Sequence, residues 1–194
     1  MTDIKEKLLQ VFKMVEGFTG PLNNSYIAGG AIASLVLGEE PKDYDIWFEN
    51  PEDYFNAVNS LSNNFRKLLE LQGHTPSTTS KYATSIKIGG IDVQLVQSRM
   101  GAPEVVVPTF DFKHTQSWMK RDGTMSVDEE FIKRKQLVFV PGNFSHPVNT
   151  MQRVNKFARR GYDIPFETTK ALMMEITKLD PESIGKSDDH GGSL

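Results

Sequence analysis

The segment 26–48, YIAGGAIASLVLGEEPKDYDIWF, constrains this chain more than any other stretch. Its pattern is typical of a short strand, a Gly-Gly turn, a helical stretch and a second strand. Asp43 and Asp45 are two residues apart at the edge of the second strand, so their side chains leave the same face. Two carboxylates on one face repel each other unless a cation lies between them. Such an oxygen-rich pair suits Mg²⁺ held together with substrate phosphates.

Gly29 and Gly30 directly precede the helical stretch. Glycines at this position let backbone N–H groups approach an anion, and the helix N-terminus adds partial positive charge. A phosphate cradle followed along the chain by metal-binding carboxylates predicts a protein that handles a nucleoside triphosphate.

Composition excludes several classes of protein. A chain of 194 residues with 38% hydrophobic residues fits one globular domain with a small helical appendage. The net charge of −3 argues against a protein that coats nucleic acid non-specifically. The chain has no cysteine, which excludes disulfides and thiolate zinc sites and agrees with a reducing cytoplasm. No apolar run or signal peptide is evident, so we expect no membrane partner.

Periodicity predicts an α+β fold with a mixed, largely antiparallel sheet flanked by helices. The four histidines have no metal-ligand spacing, and we assign them no catalytic role. The expected elements are a helix over 3–16, a helix from residue 51, a hairpin of 86–88 and 91–96 around Gly89-Gly90, a short strand over 105–107, and helices over 152–179 interrupted near Gly161.

The run GGAIASLVLGEEPKDYDI resembles the GG-x-x-R-D-x-L-L-G-x-x-P-x-D-x-D-I signature of the nucleotidyltransferase superfamily. The branch it resembles contains bacterial CCA-adding enzymes and poly(A) polymerases. Ala33 and Ser34 stand where that family has Arg-Asp. The resemblance implies the nucleotidyltransferase fold, catalytic metal ligands at Asp43 and Asp45, and a two-metal Mg²⁺ site with Mn²⁺ as an alternative. It also implies nucleotide binding, for which the expected residues in this segment are Gly29, Gly30, Ser34 and Lys42.

The run IGGIDVQLVQSR (88–99) is similar to the third active-site strand of the same family, G-x-x-I-E/D-V-x-x-x-R. It implies that Asp92 is a third catalytic carboxylate and metal ligand, and that Arg99 lies near the triphosphate. Alternation along the strand puts Asp92 beside Asp43 and Asp45 if the two strands are neighbours. From the residues alone, a solvent-facing aspartate and a surface arginine remain alternatives.

Two later runs extend the resemblance. FDFKHTQSWM (110–119) is similar to the family's R-R-D-F-T-x-N-A segment, with Thr109-Phe110 in place of the arginine pair. It implies that Asp111 contacts the nucleotide. We interpret the rings of Phe110, Phe112 and Trp118 as core.

The run RVNKFARRGYDIPFETTK (153–170) resembles the family's neck. Arg153 and Lys156 share a helix face and are expected to bind triphosphate or a nucleic-acid backbone, with a solvated basic face as the alternative. The expected division is a catalytic domain over 1–145, a neck-like helical segment over 146–180 and a disordered tail over 181–194.

The resemblance implies transfer of a nucleoside monophosphate from a nucleoside triphosphate to an acceptor hydroxyl, with release of pyrophosphate. An RNA or tRNA 3′ end is the first expected acceptor. A protein or small-molecule acceptor and a catalytically silent nucleotide- or RNA-binding module remain alternatives. The small size suggests a bacteriophage origin, which would place the protein in the host cytoplasm. The oligomeric state is left open.

Overall fold

The computed structural model describes residues 2–72, 77–144 and 146–180. Within these ranges the chain forms seven α-helices and one seven-stranded sheet. The helices are α1 (Thr2–Thr19), α2 (Gly30–Val36), α3 (Pro51–Gln72), α4 (Pro103–Val106), α5 (Glu129–Lys133), α6 (Pro147–Arg159) and α7 (Phe166–Ile176). The strands are β1 (Ser25–Ala28), β2 (Asp43–Phe48), β3 (Ser77–Thr79), β4 (Ala83–Ile88), β5 (Ile91–Val96), β6 (Trp118–Lys120) and β7 (Met125–Ser126).

The sheet has the strand order β3-β4-β5-β2-β1-β6-β7. Every neighbouring pair is antiparallel except β2 and β5, which run parallel at the centre of the sheet. The α+β class and the mixed, largely antiparallel sheet are therefore confirmed. The single parallel pair matters most for function, because it brings together two strands that α3, β3 and β4 separate in the sequence.

One face of the sheet carries the main hydrophobic core. Alternation along β2 buries Tyr44, Ile46 and Phe48 and leaves the residues between them partly exposed on the other face. Helices α1 and α3 cover the buried face, and Phe48 meets Tyr54 of α3 edge-to-face at a centroid distance of 5.6 Å. Since this face is filled by helices, any ligand site on the sheet must use the opposite face.

The hairpin of β4 and β5, the first helix and the helix from residue 51 are confirmed, but the predicted strand over 105–107 is wrong. Pro103 begins α4 at its first turn, where a missing N–H leaves no hydrogen bond unmade, and a 3-10 turn (Val107–Thr109) continues it. The apolar side chains of Val106 and Val107 are buried all the same. Burial without period-2 alternation does not distinguish a strand from a short helix.

A second hydrophobic cluster holds α6 and α7 against the rest of the protein. Its buried members include Phe112 before β6, Phe157 of α6 and Leu172 of α7. The expected interruption between the helices is confirmed at Gly161, which has φ +78° and ends α6 as a C-terminal glycine. The boundary between catalytic domain and neck remains a prediction. The sequence also predicts that the helix from residue 51 breaks at Gly73-His74, and this break and the tail over 181–194 fall outside the described residues.

No helix in the described ranges combines the length and the apolar character needed to cross a lipid bilayer.

His114 lies in this second cluster with 1% of its surface exposed. Its ring is 4.2 Å from that of Phe157 and 4.7 Å from that of Tyr162, measured between centroids. Neither ring nitrogen has a hydrogen-bond partner among the described residues. Burial, and secondarily the positive charge of Arg160, lowers the pKa of His114 from 6.5 to about 3. The ring is therefore neutral in the folded protein at any ordinary pH.

We predict that His114 makes the protein acid-sensitive. Between pH 6.5 and 3 the unfolded chain binds a proton that the folded chain does not, so stability falls as pH falls, by up to about 1.4 kcal/mol per pH unit. His114→Leu should flatten this slope and raise stability at pH 7 by about 1 kcal/mol, because it removes unsatisfied buried nitrogens. Urea unfolding at pH 5 and 7 measures both effects. The exposed His146, changed to Gln, serves as control; an unchanged slope in His114→Leu would contradict the prediction.

Candidate active site

The open face of the sheet carries the expected carboxylates. Asp43, Asp45 and Trp47 alternate along β2 on the face that α1 and α3 leave free, and each is partly buried. The parallel register sets Asp43 opposite Asp92 of β5, and Asp45 opposite Gln94. Paired residues of neighbouring strands point to the same side, so the aspartates share one face.

Asp45 is the electrostatically unusual member of this group. Burial, and then the negative charge of Asp43, raise the pKa of the Asp45 carboxyl from 3.8 to about 7. The positive charges of Lys156 and Arg153 act in the opposite direction. No described residue donates a hydrogen bond to this carboxylate. A carboxylate that is desolvated, repelled and free of donors is suited to bind a cation.

Asp92 does not join the other two carboxylates as the resemblance implies. Its side chain is 53% exposed and lies 3.4 Å from the ammonium of Lys87, its partner across the β4–β5 hairpin. Within the described ranges no three or more His, Cys, Asp or Glu side chains are grouped so that they could hold a metal ion. The role of Asp92 as third ligand remains a prediction.

The glycine turn between β1 and α2 differs from the expected cradle in one respect. Gly29 has φ 97° and ψ −145°, a conformation essentially restricted to glycine. Its N–H, however, is donated to the Ser117 carbonyl at 3.1 Å and is not available to an anion. Gly30 begins α2, so its N–H is one of the first-turn donors that no helix carbonyl accepts. A Cβ at Gly29 would lie 3.9 Å from Asp45 Oδ2, so the absence of a side chain at Gly29 leaves open space beside the Asp45 carboxylate. We call this space beside Gly29 the glycine floor.

Ser34 does not face this floor. It is buried on α2, and its hydroxyl accepts a hydrogen bond at 3.0 Å from Arg160, next to the C-terminal end of α6. The same guanidinium pairs with Glu39, which also pairs with Lys135 at 3.2 Å. Ser34 therefore joins α2 to the residue that follows α6, and its contact with a nucleotide remains a prediction.

Asp111 is likewise engaged with α6. Its side chain is 9% exposed, and its Oδ2 accepts a hydrogen bond from Thr150 at 2.8 Å and lies 2.7 Å from Arg153 Nη2. Because the same oxygen also accepts from Arg153 Nε at 2.9 Å, the guanidinium is clamped. The structure thus gives Asp111 intramolecular partners on α6, and its contact with a nucleotide remains a prediction.

The remaining basic candidates differ in position. Arg153 and Lys156 lie on the α6 face turned toward the carboxylates, since both of their charges act on Asp45. Arg99 is exposed and donates a hydrogen bond to the Thr109 hydroxyl. Lys42 is exposed at the start of β2, next to Asp43. Of these four, Arg153 and Lys156 are the ones whose positive charges act to lower the pKa of Asp45, and nucleotide binding by all four remains a prediction.

The oxygen ligands that Asp43 and Asp45 offer fit a divalent cation. Asp43 and Asp45 offer hard oxygens of the kind that Mg²⁺ and Mn²⁺ prefer. The repulsion that raises the pKa of Asp45 is the repulsion that a bound cation removes. The Asp45 oxygens also keep their acceptor capacity, because no described residue donates to them.

Sequence reasoning overlooked two neighbours of the carboxylates. Gln94 Nε2 lies 3.5 Å from Asp43 Oδ2, at the limit of a hydrogen bond, and Lys87 pairs with Asp92. The signal for Gln94 was present, since it is two residues after Asp92 and hence on the same face. Lys87 had no such signal, because its position opposite Asp92 depends on the hairpin register.

Three solved structures illustrate what this fold is similar to. The Thermotoga maritima CCA-adding enzyme complexed with tRNA superposes with TM-score 0.62 at 18% identity, covering 91% of this chain and 45% of that one. A CCA-adding enzyme complexed with CTP gives 0.64 at 17% identity, covering 91% and 44%. A tRNA nucleotidyltransferase complexed with a primer tRNA and an incoming ATP analogue gives 0.55 at 20% identity, covering 79% and 47%.

These likenesses confirm the expected fold, that of a nucleotidyltransferase catalytic head followed by a neck. At such identities they show the fold alone, and this chain spans less than half the length of the proteins it matches. No curated protein matches the chain significantly.

A family model gives a closer assignment. The model described as "Gabija anti-defense 2 family protein" matches residues 3–136. This range is more than half of the chain, and it contains the glycine turn, β2 with Asp43 and Asp45, and β5 with Asp92. The chain belongs to the Gabija anti-defense 2 family.

Proposed function

We propose that this chain is a metal-dependent nucleotidyltransferase that moves a nucleoside monophosphate from a nucleoside triphosphate to an acceptor hydroxyl. The observation that carries the proposal is the Asp43–Asp45 pair on the open sheet face, beside the Gly29 turn and within the field of Arg153 and Lys156. The fold's likeness to enzymes solved with CTP, an ATP analogue and tRNA supports it.

In the proposed mechanism Asp43 and Asp45 would hold the divalent cation, and Asp92 would join them on leaving Lys87. When bound, Mg²⁺ would neutralise triphosphate charge and lower the pKa of the attacking hydroxyl. The acceptor oxygen forms a bond to the α-phosphorus as the bond from that phosphorus to the β-phosphate bridging oxygen breaks. The electron pair leaves with pyrophosphate, and the hydroxyl proton passes to solvent or to Asp92. Catalysis is then mainly positioning and charge neutralisation.

Positive charge for the triphosphate comes from the neck in this proposal. The arginines that the resembling family carries at the positions of Ala33, Thr109 and Phe110 are absent here. Arg153 and Lys156 supply charge from α6 instead, and Gly30 supplies a free first-turn N–H. Arg99 and Lys42 are exposed near this face and are proposed to assist a bound triphosphate by long-range attraction.

The acceptor is proposed in two classes. An RNA or tRNA 3′ end is favoured by the resemblance of the fold to enzymes solved with tRNA. A protein acceptor is favoured by the family description, which names an action against a defence and no tRNA. A silent nucleotide-binding module is the remaining candidate, and it is favoured by the pairing of Asp92 with Lys87.

Incubation with each α-labelled nucleoside triphosphate separates these classes. The reactions contain Mg²⁺ or Mn²⁺ and either total tRNA, purified Gabija components or no acceptor. We expect label to enter one of the two acceptors and the combined Asp43→Ala, Asp45→Ala variant to be inactive. Labelling that survives this double substitution would refute the metal assignment. Nucleotide binding that needs no divalent cation, together with no labelling anywhere, would instead establish the silent module.

A further inference from the structure

Two aromatic rings stand beside the carboxylates on the open sheet face. Trp47 follows Asp45 on the same side of β2, and Phe110 lies between the 3-10 turn after α4 and Asp111. Their ring centroids are 5.1 Å apart with an interplanar angle of 39°. We call this pair the aromatic platform.

Phe110 reaches the glycine floor next to Asp45. Its Cε2 atom lies 3.9 Å from the position that a Cβ on Gly29 would occupy, and Asp45 Oδ2 lies at the same distance. The ring edge and the carboxylate are therefore at most twice that distance apart. A nucleotide whose phosphates are held at the carboxylates can therefore place its base against the Phe110 ring.

The loop that carries Phe110 is held firmly. The side-chain amides of Gln116 and Asn143 both donate to the Phe110 carbonyl, at 3.0 and 3.2 Å, and to the Pro108 carbonyl, at 2.9 and 2.8 Å. Thr109 lies between Pro108 and Phe110, and its hydroxyl donates to the Val106 carbonyl at 2.6 Å. Side chains from two other segments thus fix the backbone that carries this partly buried ring, so the segment is positioned before any ligand arrives.

The two rings are not simply core residues. Their undersides rest on buried Tyr26, Val106 and Val107, while Trp47 and Phe110 themselves stay partly exposed. The Trp47 indole N–H is buried and has no hydrogen-bond partner among the described residues. Because this N–H has no accessible surface, it belongs to the packing of the aromatic platform and is not a contact for a ligand.

The neighbouring Trp118 lacks these properties. The ammonium of Lys120 lies over its ring at 5.7 Å from the centroid, and that ammonium is itself held by Glu49 at 3.2 Å. The face of Trp118 is therefore occupied from within the protein. This contrast leaves the aromatic platform as the available stacking surface of the cluster.

We propose that the aromatic platform stacks a nucleobase at the nucleotidyl-transfer site, with Phe110 providing the ring face. This inference rests on the proposed function. The ligand chemistry is a planar base, carried by either the incoming triphosphate or the terminal nucleotide of a nucleic-acid acceptor. Stacking tolerates every base, because each has a π-face, and it strengthens with the larger purines.

The test uses the full chain with Trp118→Phe, which leaves Trp47 as the one tryptophan. Trp47 emission is followed while ATP or inorganic tripolyphosphate is added with Mg²⁺. We expect ATP to quench the emission and to bind about 5- to 150-fold more tightly than tripolyphosphate. Adding Phe110→Leu should abolish this difference without changing tripolyphosphate affinity, whereas Phe110→Tyr should keep it.

A matched control is Phe55→Leu in the same Trp118→Phe background. Phe55 is 55% exposed on α3, which covers the other face of the sheet, so this substitution should leave both affinities unchanged. A second arm titrates a short single-stranded RNA. If Phe110→Leu weakens RNA binding and leaves ATP binding intact, the stacked base belongs to the acceptor.

Two results would overturn the platform. One is an equal loss of ATP and tripolyphosphate affinity in Phe110→Leu, which would indicate damage to the phosphate site. The other is no effect of Phe110→Leu on ATP or on RNA. The proposed function fails separately. If no label is transferred but ATP binding still depends on Phe110, the enzymatic function is refuted and the aromatic platform stands. If label is transferred equally well by the Phe110→Leu variant, the aromatic platform is refuted and the enzymatic function stands.

Discussion

Asp45→Asn is expected to abolish nucleotidyl transfer and at the same time to make the protein more stable at pH 8. If Asp45 holds the proposed cation, its loss should lower kcat/KM by about 1,000-fold or more, since a bound cation contributes several kcal/mol to the transition state. The stabilisation arises because Asp45 is buried next to Asp43, and asparagine keeps the shape without the charge.

The sign of the stability change follows from the pKa of Asp45. Since the pKa is raised from 3.8 to about 7, the folded state holds more protons than the unfolded state between these values. Stability contributed at this position therefore decreases as pH rises through that window, and the full cost is present above pH 7. The complete shift corresponds to about 4 kcal/mol, and we expect Asn to recover about 2 kcal/mol of it at pH 8. Near pH 4 the variant and the wild type should be equally stable.

Urea unfolding at pH 4 and 8 measures this difference, with Asp92→Asn as the matched control. Asp92 is 53% exposed and paired with Lys87, so its substitution should change stability by no more than about 0.5 kcal/mol at either pH. An Asp45→Asn variant that is less stable than wild type at pH 8 would mean that the carboxylate is already compensated within the protein. In that case the argument for a cation at this position fails, whatever the activity.

Arg153→Met should destabilise the protein by about 2 to 3 kcal/mol. The substitution leaves Asp111, whose side chain is 9% exposed, with Thr150 as its one remaining side-chain partner. Breaking a buried pair in this way costs about 3 to 5 kcal/mol, and the 42% exposure of Arg153 reduces that figure. The variant should also bind nucleoside triphosphate more weakly, because α6 loses one of its two charges near Asp45.

A double-mutant cycle separates the pair from its surroundings. Combining Arg153→Met with Asp111→Asn removes the uncompensated charge, so most of the lost stability should return while triphosphate binding stays weak. Arg159→Met on the same helix is the control, because Arg159 is exposed and makes no ion pair or hydrogen bond with a described residue. Additive single effects in the cycle would show that Asp111 does not hold Arg153.

Much of this fold follows from local sequence. Period-2 alternation in β2 and β5 predicts which side chains share a face, and the glycine pair at 89–90 predicts the hairpin that both β4 and β5 require. The short run over 105–107 was predicted wrongly, because an apolar triplet is too short to show a period that separates strand from helix. Pro103 was the better signal, since proline favours the first turn of a helix.

The candidate site also has some features that follow from local sequence and others that depend on packing between distant segments. The positions of Asp43 and Asp45 on one face depend only on residues next to each other in the chain, so the sequence determined them. The partners of Asp111, Ser34 and Asp92 depend on packing. Arg153 is 42 residues from Asp111, and Arg160 is 126 residues from Ser34.

The sequence by itself thus determined a carboxylate pair, a glycine turn and the strands that carry them. Only the tertiary structure decided that the charges of Arg153 and Lys156 act on Asp45, that Asp92 pairs with Lys87, and that Phe110 lies beside Gly29. The physical reason is the separation along the chain over which each effect acts. Backbone periodicity is a property of neighbours along the chain, whereas charge pairing and burial depend on which distant segments the folded core brings together.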